Sequence, residues 1–466
     1  MGHGHHHVEV KQEQFVFSPK AKRFSIILMV LGLVFVGLGI ANLGGHDNKH
    51  EAKTETAAHG EHGVAAHEAE GQHAAAHEEH GNVPNEAFGP RMEFHPLDKP
   101  ANTRIWANFM IVGYFFLMIS LVSLMWYAIQ YVANAGWSVG IKRVPEAIMT
   151  FIPVPFVLLM IGLLMGKNDI YHWAHYEHLG LKPGEVGYDA ILAGKSGFLN
   201  TTMLFAFPTV LVVIWYLLMR KLRALSAAED NGTKGDISFF RTSTKFSAAF
   251  AVIFGFTMSI IAWLLIMSVD AHWYSTIFGF YNFVTHWVTM ITIMAFIVAY
   301  VKKEGYLGIV TNEHMHDLGK FMFAFTVFWA YLWLSQYLLI WYAQIPEEMA
   351  YYQIRFENYK FNFLLNFVMC FCIPFLGLLM RSAKRNRYVL AIIGSIMILG
   401  HYHDVWLMVF PGVFGSGMQF GFLELGMFLF VAGVFVYWVF TALTKRGLVA
   451  INHPYLDESV HHDVGV

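Results

Sequence analysis

The sequence predicts an all-α integral membrane protein of about ten transmembrane helices: two four-helix bundles with one helix on either flank. Three observations carry that expectation. Hydrophobic residues make up 56% of the 466 and charged residues 14%, where soluble domains carry about 25% charged. Apolar runs recur at lengths matching the roughly 20 residues that cross a bilayer's hydrocarbon core. Within 275–301, Asn282, Thr285, His286, Thr289 and Thr292 repeat at three and four residues. One helical face is therefore hydrophilic and must look into protein or water.

The chain opens with MGHGHHH, which resembles a tag and is set aside from the fold. Lys20, Lys22 and Arg23 close a cytoplasmic segment, 1–23, ahead of an uncleaved first span at 24–43. Residues 44–103 are rich in His, Glu, Ala and Gly, with too little apolar surface to offset chain entropy. A flexible extracytoplasmic spacer is expected there. His73, His77 and His80 would share a face, and a metal ion, only in a helical form; a solvated spacer is the plainer reading.

Nine further spans are expected at 104–133, 144–166, 198–219, 246–269, 275–301, 318–343, 361–380, 388–410 and 418–444. Spans two to five make the first bundle (104–269) and spans six to nine the second (270–410). The last span with its preceding loop occupies 411–444, and 445–466 is a cytoplasmic tail. With Lys320 counted at the mouth of span seven, 21 of the 31 Lys and Arg lie at cytoplasmic ends, so both termini are expected inside. A faint repeat relates the bundles. Spans four and eight both begin with Asn, contain Pro208 or Pro374, and end Leu-Met-Arg. The helices after them end alike as well, in Asp270-Ala-His-Trp and His403-Asp404-Val-Trp. Parallel repeats of this kind are a known membrane plan.

Several functions are excluded. A formal net charge of −2, without a basic-aromatic patch, leaves no nucleic-acid partner. No phosphate-cradling Gly-rich loop or nucleophile elbow occurs. Cys370 and Cys372 are two apart on one expected helix and point to different sides, and there is no CxxCH. The expectation is that this chain binds no cofactor of its own and no metal. No span shows paired Gly and Pro at mid-depth, which weighs against a solute transporter.

The second bundle holds a ladder of titratable groups. His316 and Asp317 sit at the cytoplasmic mouth of span seven, with His314 and Lys320 beside them. His286 falls near mid-depth, His401, His403 and Asp404 toward the outer half of span nine, and Glu424 in the outer part of span ten. Histidine exchanges protons near neutral pH, and ionisable groups inside a membrane are expensive, so the set is a candidate proton relay. Packing is the bland alternative, because polar stripes also bind helices together. Asp317 doubles as a candidate cap for span seven. A b-type haem between His286 and His401 would need room, which Gly394 and Gly400 offer on span nine but no glycine matches on span six. Glu146, just after Pro145, reads as ordinary N-terminal chemistry.

On the outer face of the first bundle lie Asp169, His172, His175, Glu177 and His178, with Asp270 and His272 nearby. They would dock a partner domain or, as the alternative, bind a quinol head group. Tyr331, Trp333, Tyr337, Trp341 and Tyr342 read as an interfacial belt.

The blocks HWYSTIFGFYNF, EHMHDLGKFMFAFTVFWAYLWLSQYLLIWYAQIPEE and YHWAH…DAILAGKSGFLN together resemble a membrane subunit of bacterial alternative complex III. These subunits belong to the polysulfide-reductase-type (NrfD-like) family. The likeness covers about 104–446, and the FSPKAKRF flank with the IWYAQIPEE ending is more similar to the F-type than the C-type subunit. The resemblance implies a multi-pass protein of the bacterial inner (cytoplasmic) membrane, in a complex that oxidises quinol and delivers electrons to cytochrome c or an oxidase. It implies partners: the sister NrfD-like subunit, an iron–sulfur subunit, c-type cytochromes, lipids and a terminal oxidase. Haem and iron–sulfur centres would lie in those partner subunits. Quinol, menaquinol or ubiquinol, would be oxidised in the sister subunit, with this chain anchoring the assembly and moving protons. The resemblance assigns no relay residue individually.

Overall fold

The structure is a computed structural model that describes residues 12–57, 99–180, 183–185, 188–233, 235–416 and 419–463. The opening tag-like residues and the stretch holding His73, His77 and His80 lie outside the described residues. Among the described residues ten helices are long and apolar enough to cross a membrane: Pro19–Leu43, Ala101–Val132, Arg143–Ile170, Thr201–Asn231, Ser238–Val269, Ile277–Lys303, Asn312–Ala343, Lys360–Gly377, Arg387–Phe414 and Phe422–Leu443. They are spans one to ten below. The protein is an all-α, multi-pass membrane protein, and the described residues contain no strand beyond an isolated bridge between Gln14 and Gly447.

Spans six to nine close a ring, each packing on its neighbours, with nine returning to six. In the first bundle span two packs on three and five, and five on four; spans two and five then meet span six across the middle. Span two is buried along nearly its whole length. Side chains such as Leu164, 67% exposed, and Phe256, 76% exposed, point outward from spans three and five, as lipid-facing residues do.

Span one packs on span ten through small residues. A Cβ on Gly32 would fall 2.4 Å from the Phe430 nitrogen, and one on Gly426 would fall 2.6 Å from the Val36 nitrogen. In lipid, where burial of apolar surface drives nothing, such backbone approach is what holds two helices together.

Several elements differ from the expected limits. Span four continues to Asn231 and span seven begins at Asn312, so both project past the hydrocarbon length. The cap of span seven is Thr311, with His314 closing the box from the third position; Asp317 lies further inside the helix and caps nothing. Span eight is broken at mid-depth by a π turn, Val368–Cys372, just before Pro374, and span three by a 3-10 turn, Met149–Phe151, before Pro153. Proline withdraws a backbone donor at each break. The repeat is also loose in three dimensions. Asn200 caps span four, but Asn362 lies inside span eight and bonds His403. Asp270 follows the end of span five, whereas span nine runs ten residues beyond Asp404.

At the end of the bundle that carries Arg143, Arg223 and Arg446, Glu146 is gripped rather than left to a helix end. Arg143 and Arg446 each donate to it at 2.5 Å, and Arg223 lies 3.8 Å away. Lys142 pairs with Glu229 at 2.8 Å, and burial pulls the lysine below its ordinary pKa despite that partner. This network ties spans three, four and ten together at what is here termed the basic face.

Replacing Gly32 by Leu is expected to cost about 1–3 kcal/mol through overpacking against span ten. Gly37→Leu is the control, since a Cβ there meets nothing within 4 Å. Thermal unfolding of the full-length protein in detergent checks both: a lower Tm for the first, an unchanged one for the second.

Candidate functional site

All four spans of the second bundle reach one carboxylate. Tyr281 and Thr285, one turn apart on span six, both face Asp404 on span nine; the Tyr281 hydroxyl donates to Oδ1, and Thr285 donates to Oδ2 at 3.0 Å. Trp329 of span seven donates its indole N–H to Oδ2 at 3.1 Å, and Asn366 of span eight donates to Oδ1 at 2.8 Å. Asp404 is 2% exposed. Four donors fill the four lone-pair positions of an ionised carboxylate. The Thr285 hydroxyl has a second acceptor, the Tyr281 carbonyl at 3.1 Å, so its hydrogen can turn away when the carboxyl takes up a proton.

Beyond Asp404, toward the face opposite the basic one, lies a cavity of about 20 Å³ lined by Asp404, Asn366, Gln336, Tyr351, Tyr352 and Arg355, among others. A single water needs about 10–15 Å³. Arg355 comes from the helix Pro346–Glu357, too short and polar to stand out as a span. Pro411 deprives the Leu407 carbonyl of its helical donor, and Arg355 Nε supplies one at 3.1 Å; Nη2 bonds the Met408 carbonyl at the same distance. Asp270 lies 3.6 Å from the guanidinium. Burial pushes the Asp270 carboxyl above its ordinary range, with Arg355 and His272 pulling it back.

The other ladder residues fall into separate groups. His403 contacts the amide oxygens of Asn362 and Asn366 at 3.2 and 3.4 Å and so joins the Asp404 network through Asn366. His286 and the hydrophilic face of span six are wholly buried, as are Asn282, Thr289 and Thr292. His286 Nδ1 meets the Asn282 carbonyl at 2.7 Å, while its Nε2 and both ring nitrogens of His401 are buried without a hydrogen-bond partner. The His401 ring stands edge-on to Trp329, 5.6 Å between centroids, and thus behind the indole that holds Asp404. Three orphaned ring nitrogens are costly, each about 1–3 kcal/mol, and call for a water or a functional reason. The two glycines expected to make space for a haem on span nine are packed against side chains. Cβ positions on Gly394 and Gly400 would strike Phe296 and Met369.

His316 and Asp317 sit at the basic face. Asp317 pairs with Lys320 at 2.5 Å and with His462 of the tail at 2.7 Å; His316 lies 3.9 Å from Glu313. The tail therefore folds back over this mouth, with Ser459 bonded to Gly140 and His314. Glu424 belongs to neither group: Arg104 holds it with two bonds of 2.7 Å, Asn108 donates at 3.0 Å, and its own helix N-terminus takes it as a cap.

The alternative site comes together in part. His172 and His272 approach to 6.3 Å between ring centroids, and His272 Nε2 lies 2.5 Å from Asp189, a partner that spacing alone did not reveal. Partial burial works to raise the Asp189 carboxyl, but His272 and the Leu192 and Ile191 amides hold it below its ordinary range. Lys195 spans three carbonyls, Ala271, His272 and Trp273. His175 is exposed, and Asp270 turns to Arg355 instead. Glu177 bonds Thr201 at the start of span four. Asp169 lies one residue before the end of span three, outside this cluster's hydrogen bonds. Of the aromatic belt, Tyr331 and Tyr342 are exposed, but Trp333 and Tyr337 pack on Phe363 and Tyr352. Among the described residues no three His, Cys, Asp or Glu converge as a metal-ligand set. No protein-family model matches the chain, and no curated protein does either.

Asp404→Leu removes the acceptor for four buried donors and is expected to destabilise by about 3–5 kcal/mol. Asp404→Asn keeps the shape and half the acceptors and should lose less. Chemical unfolding of the two full-length variants gives the order.

Proposed function

We propose that this chain is the F-type membrane subunit of a quinol-oxidising respiratory complex of the alternative complex III kind, and that it moves protons while quinol is oxidised in a sister subunit. The membrane is the bacterial inner membrane, with the basic face and both termini in the cytoplasm. Asp404 is the group that takes up and releases the proton. The observation that carries this is a carboxylate at the centre of the second bundle with a rotatable hydroxyl donor, Thr285, and a water-sized cavity at its side.

In this reading, protonation of Asp404 turns the Thr285 hydroxyl to the Tyr281 carbonyl and leaves the other donors in place. Release runs outward through water in the cavity, past Arg355, to Asp270 at the opposite face. Arginine keeps its own proton, so Arg355 acts by its fixed charge, favouring the ionised state of both carboxyls. His401 meets the Trp329 ring edge-on, and its two ring nitrogens, with Nε2 of His286, have no hydrogen-bond partner and are available to a proton arriving from the cytoplasm. Glu424 and Asp317 serve structure, as an anchored cap and as the clasp of the tail.

The test uses the assembled complex carrying Asp404→Asn or His401→Ala. Quinol oxidation is expected to persist while protons released per electron fall to about half or less of the wild-type ratio. An unaltered ratio in a complex that assembles normally leaves a scaffold. Photolabelling of 172–189 by an azido-quinone would instead make the outer cluster a quinol site.

A further inference from the structure

A second, larger cavity lies between spans one, two, six, nine and ten, away from Asp404. Its volume is about 670 Å³, within the 300–1,000 Å³ range of ligand pockets. The depth is apolar, built by Phe115, Phe428 and Phe435 with aliphatic walls. The mouth is at the basic face and cationic: Lys20 begins span one, Lys303 ends span six and Arg387 begins span nine. All three are exposed, and among the described residues none is ion-paired. Glu304 is the one carboxylate in the lining. Arg387 lies over the Tyr388 ring at 5.0 Å and bonds its hydroxyl at 3.2 Å, which holds the guanidinium at the rim.

We propose that this cavity binds an anionic phospholipid, with its phosphate among Lys20, Lys303 and Arg387 and an acyl chain against the phenylalanines. The charge pattern selects the occupant. Basic pockets between helices at the cytoplasmic side attract anionic head groups. A free phosphate would leave the apolar depth empty, and an empty wall forfeits dispersion contacts. A neutral quinone head group would find no polar partner in the depth, and although it could accept hydrogen bonds at the rim it would leave the positive charge there uncompensated. Span one rests mainly on span ten, so the lipid would fill the wedge between it and spans six and nine. This inference is independent of the proton-transfer reading.

The experiment is native mass spectrometry of the full-length protein with dioleoylphosphatidylglycerol, against dioleoylphosphatidylcholine. Wild type is expected to prefer the anionic lipid by about tenfold or more. Lys303→Gln with Arg387→Gln should bring the preference to about twofold or less. Lys221→Gln, Arg241→Gln and Lys245→Gln, exposed cations at the same face but outside the cavity, should leave it intact. Ala432→Phe, which fills the cavity, should reduce binding of both lipids. Equal affinity of wild type for the two lipids, a preference that survives the rim substitutions, or displacement of the bound lipid by decylubiquinone would each overturn the proposal. Wild-type melting of the lipid-free Arg387→Gln single variant keeps the rim test valid if the double variant does not fold.

Discussion

One buried carboxylate organises the second bundle. Spans six, seven and eight supply four donors to Asp404 of span nine, so the relative rotations of the four helices are fixed by a single acceptor in a medium without water. Hydrogen bonds replace the missing hydrophobic drive between helices in lipid. The same bonds settle local irregularities. The π turn of span eight lies between Asn366, which reaches Asp404, and Pro374. Arg355 fills the carbonyls around the Pro411 break and so extends the polar core toward the surface. A fully satisfied anion would be inert, however. What gives Asp404 chemical latitude is that one of its donors, Thr285, has somewhere else to turn.

Much of this was legible in the sequence, for physical reasons. Apolar length gives spans, because a bilayer sets a minimum, and a 3.6-residue period gives the buried face of span six. Asp404 itself stood out as an ionisable residue within an apolar run. Its partners did not. Tyr281 and Trp329 look like ordinary membrane aromatics, and only the third dimension shows their polar tips converging. Asn362 and Asn366, four apart on span eight, were the available signal for a polar face there. Glu424 shows the opposite limit: depth and charge marked it, but Arg104, 320 residues earlier, neutralises it. Asp317 reads as a cap because apolar length alone starts the span at 318, whereas the polar first turns carry the helix back to Asn312.

The two faces of the protein are built differently. At the basic face, buried ion pairs around Glu146 and Glu229 join distant segments, and the N- and C-terminal segments fold across the helix ends, with Leu448 bonded to Glu13. His453 is pressed among Tyr131, Phe240 and Tyr455; burial and the nearby Lys142 and Arg143 push its pKa down to about 2, so it serves as a neutral packing residue. At the opposite face short helices and the Asp189–His272 pair leave polar groups partly exposed. The basic face is thus closed by buried ion pairs, while the opposite face is the more open of the two.

The most direct measurement is redox-triggered infrared difference spectroscopy of the assembled complex, read in the carbonyl-stretch region of protonated carboxyls. A band that appears or vanishes on quinol oxidation and is absent in Asp404→Asn is the expected result. An identical spectrum in wild type and Asp404→Asn, with quinol turnover intact in both, would contradict proton transfer at this residue.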